Sequence, residues 1–256
     1  MVFKTPTTSL SRHTPTAVFY REKNLVEDML KSGSQSDFVS VMMEHILGRQ
    51  IKPEEQRVMN AVLITMMEHG FTPSAIATRS VYMSAPENLQ GAVAAGLLAI
   101  GSQFVGTVEN NARLLASLAS LEGEERRTYA KEIVNEYRGR KAHIPGFGHH
   151  LHYPDDPRAK RLIEIGQKNG FSGKYIESLH LLSEVIDEIT GRHITINATG
   201  ATAALLGEMG IPVDLMRGFS VIGRTAGLVA HIAEEQQRPS GRYIWDLVDK
   251  SIPYED

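Results

Sequence analysis

Apolar residues recur along most of the chain at the three- to four-residue spacing that is typical of an amphipathic α-helix. In the segment 53–69, Val58, Val62 and Met66 lie one helical turn apart, a proline opens the segment and a glycine follows it. The same criteria predict helices over 86–100, 124–138, 157–169, 174–190, 199–209 and 215–237. Only the segments 16–20 and 193–196 are predicted to be extended.

The sequence contains neither a repeated unit nor an alternation of strands with helices, so we predict an all-α fold. One segment, 143–157, departs from the helical pattern because it holds two glycines, three prolines and four histidines between two predicted helices. Loops that connect regular elements carry a large share of the functional residues of proteins. We therefore expect chemistry in this loop.

Composition excludes several classes of protein. The 256 residues are 42% hydrophobic, which is enough for a large core, and the net charge of −3 gives no general attraction to nucleic acid or to anionic membranes. No apolar run approaches the roughly 20 residues that span a bilayer. The absence of cysteine excludes disulfides, a thiolate nucleophile and thiolate metal ligands, and it suits a reducing, cytoplasmic location.

Four groups of short motifs occur in an order that is typical of one family. They are EHGFTPS at 68–74, GFGH and DPRAK at 146–149 and 156–160, an asparagine and GIP at 197 and 210–212, and GR, GLVAH and RP between 223 and 239. Together they resemble the citrate synthase superfamily, and EHGFTPS is most similar to its short citryl-CoA lyase branch. The resemblance extends over nearly the whole chain, from residue 16 to residue 246.

The resemblance implies a citrate synthase-like helical fold with two lobes. Residues 1–106 and 197–256 would form a large helical lobe, and residues 107–196 would form a small lobe. The family binds acyl-CoA between the lobes and near a subunit interface, so we expect a homodimer or a multiple of one. The substrate would be a coenzyme A thioester, together with a di- or tricarboxylate or a 2-oxo acid, and no nucleic acid or membrane partner is expected.

His149 is the predicted catalytic residue. It follows a glycine on the loop, where its ring can approach a ligand, and imidazole titrates near neutral pH. The resemblance implies that His149 exchanges a proton with the tertiary hydroxyl group as the carbon–carbon bond breaks. A loop histidine that merely bonds to its own backbone is the alternative. The resemblance also makes His69 a substrate contact.

Three arginines match residues that hold substrate carboxylates in the family: Arg158, Arg224 and Arg238. The planar guanidinium group offers paired donors that suit a carboxylate, and Arg158 also lies at a predicted helix start, which favours anions. The alternative is a set of surface ion pairs, since the chain has 27 basic and 30 acidic residues. The resemblance assigns coenzyme A binding to Ile144, Gly146, Phe147, Gly148 and Asn197.

The histidines of the loop also raise the possibility of a metal site. His143, His149, His150 and His152, with Asp155, have the chemistry of zinc ligands. The family that the chain resembles uses no metal, however, and the adjacent side chains of His149 and His150 would diverge. We therefore expect no metal.

Two positions depart from the synthase pattern. Phe104 stands where the synthases have a histidine that steadies the acetyl-CoA enolate, and the lyase modules of the family also have phenylalanine there. Thr199 stands where the family has its general base, an aspartate. A hydroxyl group cannot replace a carboxylate, because its pKa is far above neutrality, and loss of a positioned acid or base costs roughly 10²–10⁴ in rate, or about 3–5 kcal/mol of barrier.

These features predict a carbon–carbon lyase that acts on a 3-hydroxy-3-carboxyacyl-CoA such as citryl-CoA and releases acetyl-CoA and a 2-oxo acid by retro-aldol cleavage. Thr199, or a water molecule bound to it, would stand near the enolate carbon. One alternative is a condensing acyltransferase of the citrate synthase type or another diverged acyl-CoA enzyme. A second alternative is a catalytically silent homologue that binds acyl-CoA.

Overall fold

The computed structural model describes residues 5–101 and 106–255, and within them the all-α prediction is confirmed. Three short strands near the start form a small antiparallel sheet in the order β1-β2-β3, followed by a π-helical turn at Leu25–Met29. The strands are β1 (Ser11–His13), β2 (Val18–Tyr20) and β3 (Lys23–Asn24). The α-helices are α1 (Phe38–Leu47), α2 (Pro53–Met67), α3 (Pro73–Ser84), α4 (Leu89–Leu98), α5 (Thr107–Ala119), α6 (Gly123–Gly139), α7 (Pro157–Lys168), α8 (Lys174–Thr190), α9 (Ala198–Glu208), α10 (Val213–Gln237) and α11 (Gly241–Ser251).

The chain divides into two compact units after Met59. The first unit holds the sheet, the π-helical turn and α1. Asp37 caps α1 by accepting hydrogen bonds from Val39 N and Ser40 N, and Arg21 donates a 2.7 Å bond from Nη2 to the carbonyl oxygen of His45. The boundary after Met59 differs from the lobe limits that the family resemblance implies, and those limits remain a prediction.

In the second unit, α9 is the central helix. Its sequence, ATGATAALLGE, is small and apolar on all sides, which is the pattern of a helix that is surrounded by others. Nine of its eleven residues are buried, and it contacts α5, α7, α8 and α10. The N-terminus of α9 is thereby fixed within the core, next to the 143–157 loop.

The long helix α10 approaches the last turn of α2 unusually closely. A Cβ atom on Gly223 would lie 2.8 Å from the carbonyl oxygen of Leu63, and one on Gly227 would lie 2.0 Å from that of Met67. Only glycine allows this approach. The turn that follows α2, which carries His69, is therefore held against α10.

Several elements differ from their predictions. Four helices, α1, α3, α5 and α11, were not predicted. The segment predicted as a helix from residue 86 begins helically only at Leu89, because Asn88 provides the N-terminal cap. The predicted extended segment 193–196 forms only a single bridge, between Ile196 and Phe147. No helix among the described residues is long and apolar enough to cross a membrane.

Candidate active site

Backbone hydrogen bonds hold the 143–157 loop against the segment that leads into α9. Gly148 N donates to Thr195 O at 2.8 Å, Asn197 N donates to Gly146 O at 3.0 Å, and Asn197 Nδ2 donates to Gly148 O at 2.9 Å. Gly146 has a φ of +86°, and a Cβ there would lie 2.6 Å from Nδ2 of Asn111. The position of Gly146 therefore requires glycine. The hydrogen bonds hold the loop, and with it His149, next to the segment that begins α9.

The ring of His149 is oriented by its own loop. Its Nδ1 accepts hydrogen bonds from Leu151 N and His152 N, each at 3.1 Å. A neutral imidazole has one protonated and one unprotonated nitrogen, so the proton lies on Nε2. Burial, followed by the charges of His152 and Arg158, lowers the pKa of His149 to about 4. At neutral pH the ring is therefore neutral and its Nε2 is a hydrogen-bond donor.

Arg158 points a second donor at the same region. Its Nη2 lies 3.3 Å from Nε2 of His149; because both nitrogens carry protons, this is a contact between two donors and not a hydrogen bond. The guanidinium group is fixed by Asp156, whose Oδ1 accepts from Arg158 Nε at 3.0 Å and whose Oδ2 accepts from Nη2 at 2.8 Å. Two donors that face one region suit an acceptor oxygen, such as that of a carboxylate or an alkoxide.

Asp156 links the two helices that begin beside the site. Its carboxylate caps α7 through Arg158 N and also accepts a 3.1 Å bond from Ala198 N at the start of α9. Burial raises the pKa of Asp156, but the hydrogen bonds and charge of Arg158 outweigh burial and leave the pKa below its ordinary value. Asp156 is therefore an ionised anchor whose oxygens are already engaged.

His69, His149 and His152 form a group that we call the three-histidine cluster. One ring nitrogen of each lies within 4.8 Å of the others, and Nε2 of His69 is 3.4 Å from Nε2 of His152. The His69 and His149 rings meet edge to face, with centroids 5.2 Å apart. Burial, followed by the charge of Arg158, lowers the pKa of His69. Although they are 80 residues apart in the sequence, His69 and His149 thus lie in one cluster, and their roles stay predictions.

Metal coordination by this cluster conflicts with the bonds of His149. A metal on Nε2 would move the ring proton to Nδ1, where it would meet the two backbone N–H groups that Nδ1 now accepts from. A metal-bound histidine normally donates its other N–H to an acceptor. The cluster therefore fits hydrogen bonding and proton transfer better than coordination through Nε2 of His149. The absence of a metal stays a prediction. The expected divergence of the His149 and His150 side chains is wrong, because their rings stack with centroids 4.8 Å apart.

Arg224 lies in the buried wall beside the cluster. It is only 3% exposed, and its Nε and Nη1 have no hydrogen-bond partner among the residues that the structure describes. Burial lowers the pKa of this guanidinium, an effect that the nearby charge of Glu68 opposes. A buried cation with unused donors is costly unless a ligand pairs with it. Arg224 is thus arranged to bind an anion.

Thr199 lies at the start of α9 with its hydroxyl proton already used. Its Oγ1 donates to Oδ1 of Asn197 at 2.7 Å and accepts from Oγ1 of Thr107 at 2.9 Å. Asn197 Oδ1 also accepts from the backbone N–H groups of Thr199 and Gly200, so it caps the helix. Thr199 can still accept a hydrogen bond, but it has no properties of a base.

Two further residues were predicted as substrate contacts. Phe104 lies outside the described residues. Arg238 is exposed at the end of α10, 14 residues beyond Arg224, which places its backbone about 21 Å further along the helix. Ile144 lies at the start of the loop, where its carbonyl oxygen accepts from Phe147 N at 3.2 Å.

A network of ion pairs centred on the buried Arg79 was not predicted. Arg79, which is 1% exposed, donates from Nε to Nδ1 of His231 at 2.9 Å and pairs with Glu235 and Glu234. His231 Nε2 then donates to Glu68 Oε2 at 3.1 Å, and Glu68 Oε1 accepts from His69 N at 2.7 Å. The network thus supports the backbone of His69. The spacing of Arg224, Gly227 and His231 on one face of α10 was the available sequence signal.

The family model of the C-terminal domain of citrate synthase matches residues 5–245. The chain belongs to the citrate synthase family. A citryl-CoA lyase from Hydrogenobacter thermophilus is 30% identical to it, with a TM-score of 0.80 over 100% of this chain and 95% of that one. The predicted likeness to the citryl-CoA lyase branch of the citrate synthase family is therefore confirmed.

Longer members of the citrate synthase family contain the same fold. An ATP citrate lyase from Methanothrix soehngenii, in complex with citrate and coenzyme A, matches with a TM-score of 0.77 and 20% identity over 99% of this chain and 42% of that chain. Citrate synthase 2 of Bacillus subtilis is 26% identical over 218 residues, which are 82% of this chain and 56% of the relative. The chain thus spans about half the length of the curated relatives it matches.

Proposed function

We propose that the chain cleaves the carbon–carbon bond of a 3-hydroxy-3-carboxyacyl-CoA, such as citryl-CoA, and releases acetyl-CoA and a 2-oxo acid. The observation that carries this proposal is the buried guanidinium of Arg224, whose Nε and Nη1 have no partner among the described residues. The full-length likeness to a citryl-CoA lyase supports the choice of reaction.

The substrate would be held by its carboxylates. Arg224 would pair with a carboxylate in the buried wall, and Arg158, kept rigid by Asp156, would pair with a second one beside His149. Two fixed guanidinium groups select a polyanion and orient it for reaction. This arrangement accounts for a substrate with at least two carboxylates.

His149 would act on the oxygen at the reacting carbon. Because its Nε2 carries the proton, the ring would donate a hydrogen bond to the hydroxyl oxygen as that oxygen becomes a carbonyl. The electron pair of the breaking bond would pass to the carbon next to the thioester and form the enolate of acetyl-CoA. This role differs from the proton acceptor that the family resemblance implied, since the lone pair of Nδ1 is occupied.

Coenzyme A would contact the loop that precedes His149, through Ile144, Gly146, Phe147 and Gly148, and would approach Asn197. The bonds between this loop and the segment before α9 support a rigid binding surface. Thr199 would accept a hydrogen bond near the enolate carbon, and the carboxylate of Thr199→Asp would offer a base there. The gain in rate of Thr199→Asp on citryl-CoA would be at most about 10²–10⁴.

A second copy of the chain would complete the site if Arg238 binds substrate. Its backbone lies about 21 Å from that of Arg224 along α10, beyond the reach of an arginine side chain in the same chain. A homodimer, a cytoplasmic location and an activity without a metal belong to the same proposal.

The hydroxyl proton of Thr199 is already used in a hydrogen bond to Asn197. This favours one other candidate function, that of a silent homologue that binds acyl-CoA without cleaving it. Steady-state cleavage of citryl-CoA separates the two. Wild type should turn over, Arg224→Gln should raise KM or lower kcat/KM by about 100-fold or more through the loss of a charged contact, and the exposed Arg161→Gln should match wild type. Binding of citryl-CoA without turnover in any of the three proteins would establish the silent homologue instead.

A further inference from the structure

His69, the predicted substrate contact, lies in the turn of residues 68–71 between α2 and α3. Gly70 in this turn has a φ of +71°, so the backbone adopts the left-handed conformation directly after His69. Misplacement of a group by about 1 Å can lower the rate of an enzyme about 100-fold. The residues that hold this turn therefore bear on catalysis, and this inference rests on the proposed function.

The carboxylate of Glu68 holds the turn from its first residue. Its Oε1 accepts hydrogen bonds from the backbone N–H groups of His69, at 2.7 Å, and Gly70, at 2.5 Å. The Glu68 side chain is 46% exposed, so water competes for the same oxygens. Nε2 of His231 donates to Glu68 Oε2 at 3.1 Å. His231 is thus the side chain that keeps this carboxylate facing the turn.

His231 also contacts the other end of the turn. Its ring meets the ring of Phe71 edge to face, with centroids 5.9 Å apart and planes inclined by 68°. The guanidinium group of Arg79 lies over the same Phe71 ring, 4.8 Å from its centroid. One buried imidazole therefore contacts both the first and the last residue of the turn that carries His69.

The tautomer of His231 is fixed by its other partner. The residue is only 7% exposed, and Nε of Arg79 donates to its Nδ1 at 2.9 Å. Since Nδ1 accepts, a neutral ring carries its proton on Nε2, which is the tautomer that donates to Glu68. Arg79 is held in turn by ion pairs with Glu234 and, at 2.7 Å, with the buried Glu235. Both the position of the ring and its donor are thereby set.

We propose that His231 is a positioning residue for the reaction. Bonded to Arg79 on one side and to Glu68 on the other, it holds the 68–71 turn in one conformation. The turn then keeps the ring of His69 within the three-histidine cluster. His231 itself takes no part in the transfer of protons and acts only through Glu68 and the turn.

The test compares three variants in citryl-CoA cleavage, each shown to be folded by circular dichroism. His231→Leu removes both hydrogen bonds, so kcat/KM should fall about 10- to 100-fold. His231→Gln supplies an amide oxygen for Arg79 and an amide N–H for Glu68, so it should recover most of that loss. The matched control is Glu234→Gln, which weakens an ion pair of Arg79 whose carboxylate is 53% exposed. It should leave kcat/KM within about threefold of wild type.

Three kinetic results would overturn the assignment while wild type cleaves. They are a kcat/KM of His231→Leu within about threefold of wild type, a His231→Gln variant no more active than His231→Leu, and an equal fall for Glu234→Gln. If His231→Leu does not fold, Glu68→Ala decides in its place. It removes the same link to the turn from a half-exposed position, and an unchanged kcat/KM would overturn the assignment equally.

Failure of the proposed function has a different appearance, because wild type itself would then not cleave citryl-CoA. The positioning role is still decided by NMR of the ligand-free protein, with the ring resonances of His69 assigned through His69→Gln. They should shift in His231→Leu and stay at their wild-type values in Glu234→Gln. Resonances that do not move in His231→Leu would overturn the positioning role without reference to any activity.

Discussion

At the scale of single residues, the site depends on which polar atoms are already paired. Among the described residues, Nε and Nη1 of Arg224 have no partner, and Nε2 of His149 keeps its proton because Nδ1 accepts two backbone N–H groups. The sequence predicted that these residues share a site, because each lies in a family motif. It could not predict that Nε2 of His149 is the protonated nitrogen, since that follows from the backbone path of residues 149–152. The same path brings His152, which was not predicted as a site residue, next to His69.

Replacement of Arg224 should affect the stability of the ligand-free protein and the binding of citrate in opposite ways. Arg224→Met removes a buried cation, so the free energy of unfolding of the ligand-free protein should be unchanged or up to about 4 kcal/mol higher. Citrate should stabilise wild type by mass action and should no longer stabilise the variant. Urea unfolding with and without citrate measures both effects, with the exposed Arg161→Met as control. A less stable variant that citrate still protects would contradict this account.

His149 should remain neutral well below the ordinary pKa of histidine. Since its pKa in the folded protein is about 4, its imidazole resonances should not shift between pH 8 and pH 5 in an NMR titration assigned with His149→Gln. The unfolded chain binds this proton first, near pH 6.5, so the contribution of His149 to stability should fall as the pH drops from 6.5 towards 4. A midpoint near 6.5 for His149 in the folded protein would contradict the burial and the neighbouring charges described for this ring.

At the scale of elements, α10 shows what helical periodicity can and cannot predict. Its range was predicted to within two residues at its start, because apolar residues and glycines recur on one face. The helices that were missed had readable caps: Asp37 before α1 and Thr72 before α3, for example. The partners of that periodic face were not predictable, since the close contact of Gly227 with Met67 depends on how the chain folds back on α2.

Substitution by alanine should have opposite effects on protein stability at two glycines of α10. Gly227→Ala would place a Cβ 2.0 Å from the Met67 carbonyl oxygen and should cost about 1–3 kcal/mol of stability, with displacement of the turn that carries His69. Gly218→Ala meets nothing within 4 Å and should gain up to about 1 kcal/mol from helix propensity. Thermal unfolding of both variants gives the comparison. Equal changes in the melting temperature of the two variants would mean that α10 does not approach α2 as closely as these distances indicate.

At the scale of the whole molecule, the motifs predicted the family and the fold class because they extend over most of the chain. The length of the chain favours comparison with a citryl-CoA lyase, because the chain covers 95% of that protein but only about half of its curated relatives. The last helix, α11, leaves large apolar side chains exposed, among them Tyr243, Trp245 and Leu247. Such a surface is typical of a helix that a second chain covers.

We therefore expect a homodimer in solution. Light scattering at micromolar concentration should give a mass of about 57 kDa, twice the 28.3 kDa of the chain, or a multiple of that mass. Trp245→Glu would place a charge on the exposed face of α11 and should shift the protein towards monomer, whereas Lys250→Glu on the same helix should not. A wild-type monomer would refute both the dimer and the role of Arg238 in substrate binding.

The proposed reaction of this member of the citrate synthase family is the cleavage of a carbon–carbon bond. The most direct measurement is product identification by mass spectrometry after the purified protein is mixed with citryl-CoA. We expect acetyl-CoA and oxaloacetate in equal amounts, with neither product above background for His149→Ala. Citrate and free coenzyme A as the products, or unchanged citryl-CoA that remains bound, would contradict it.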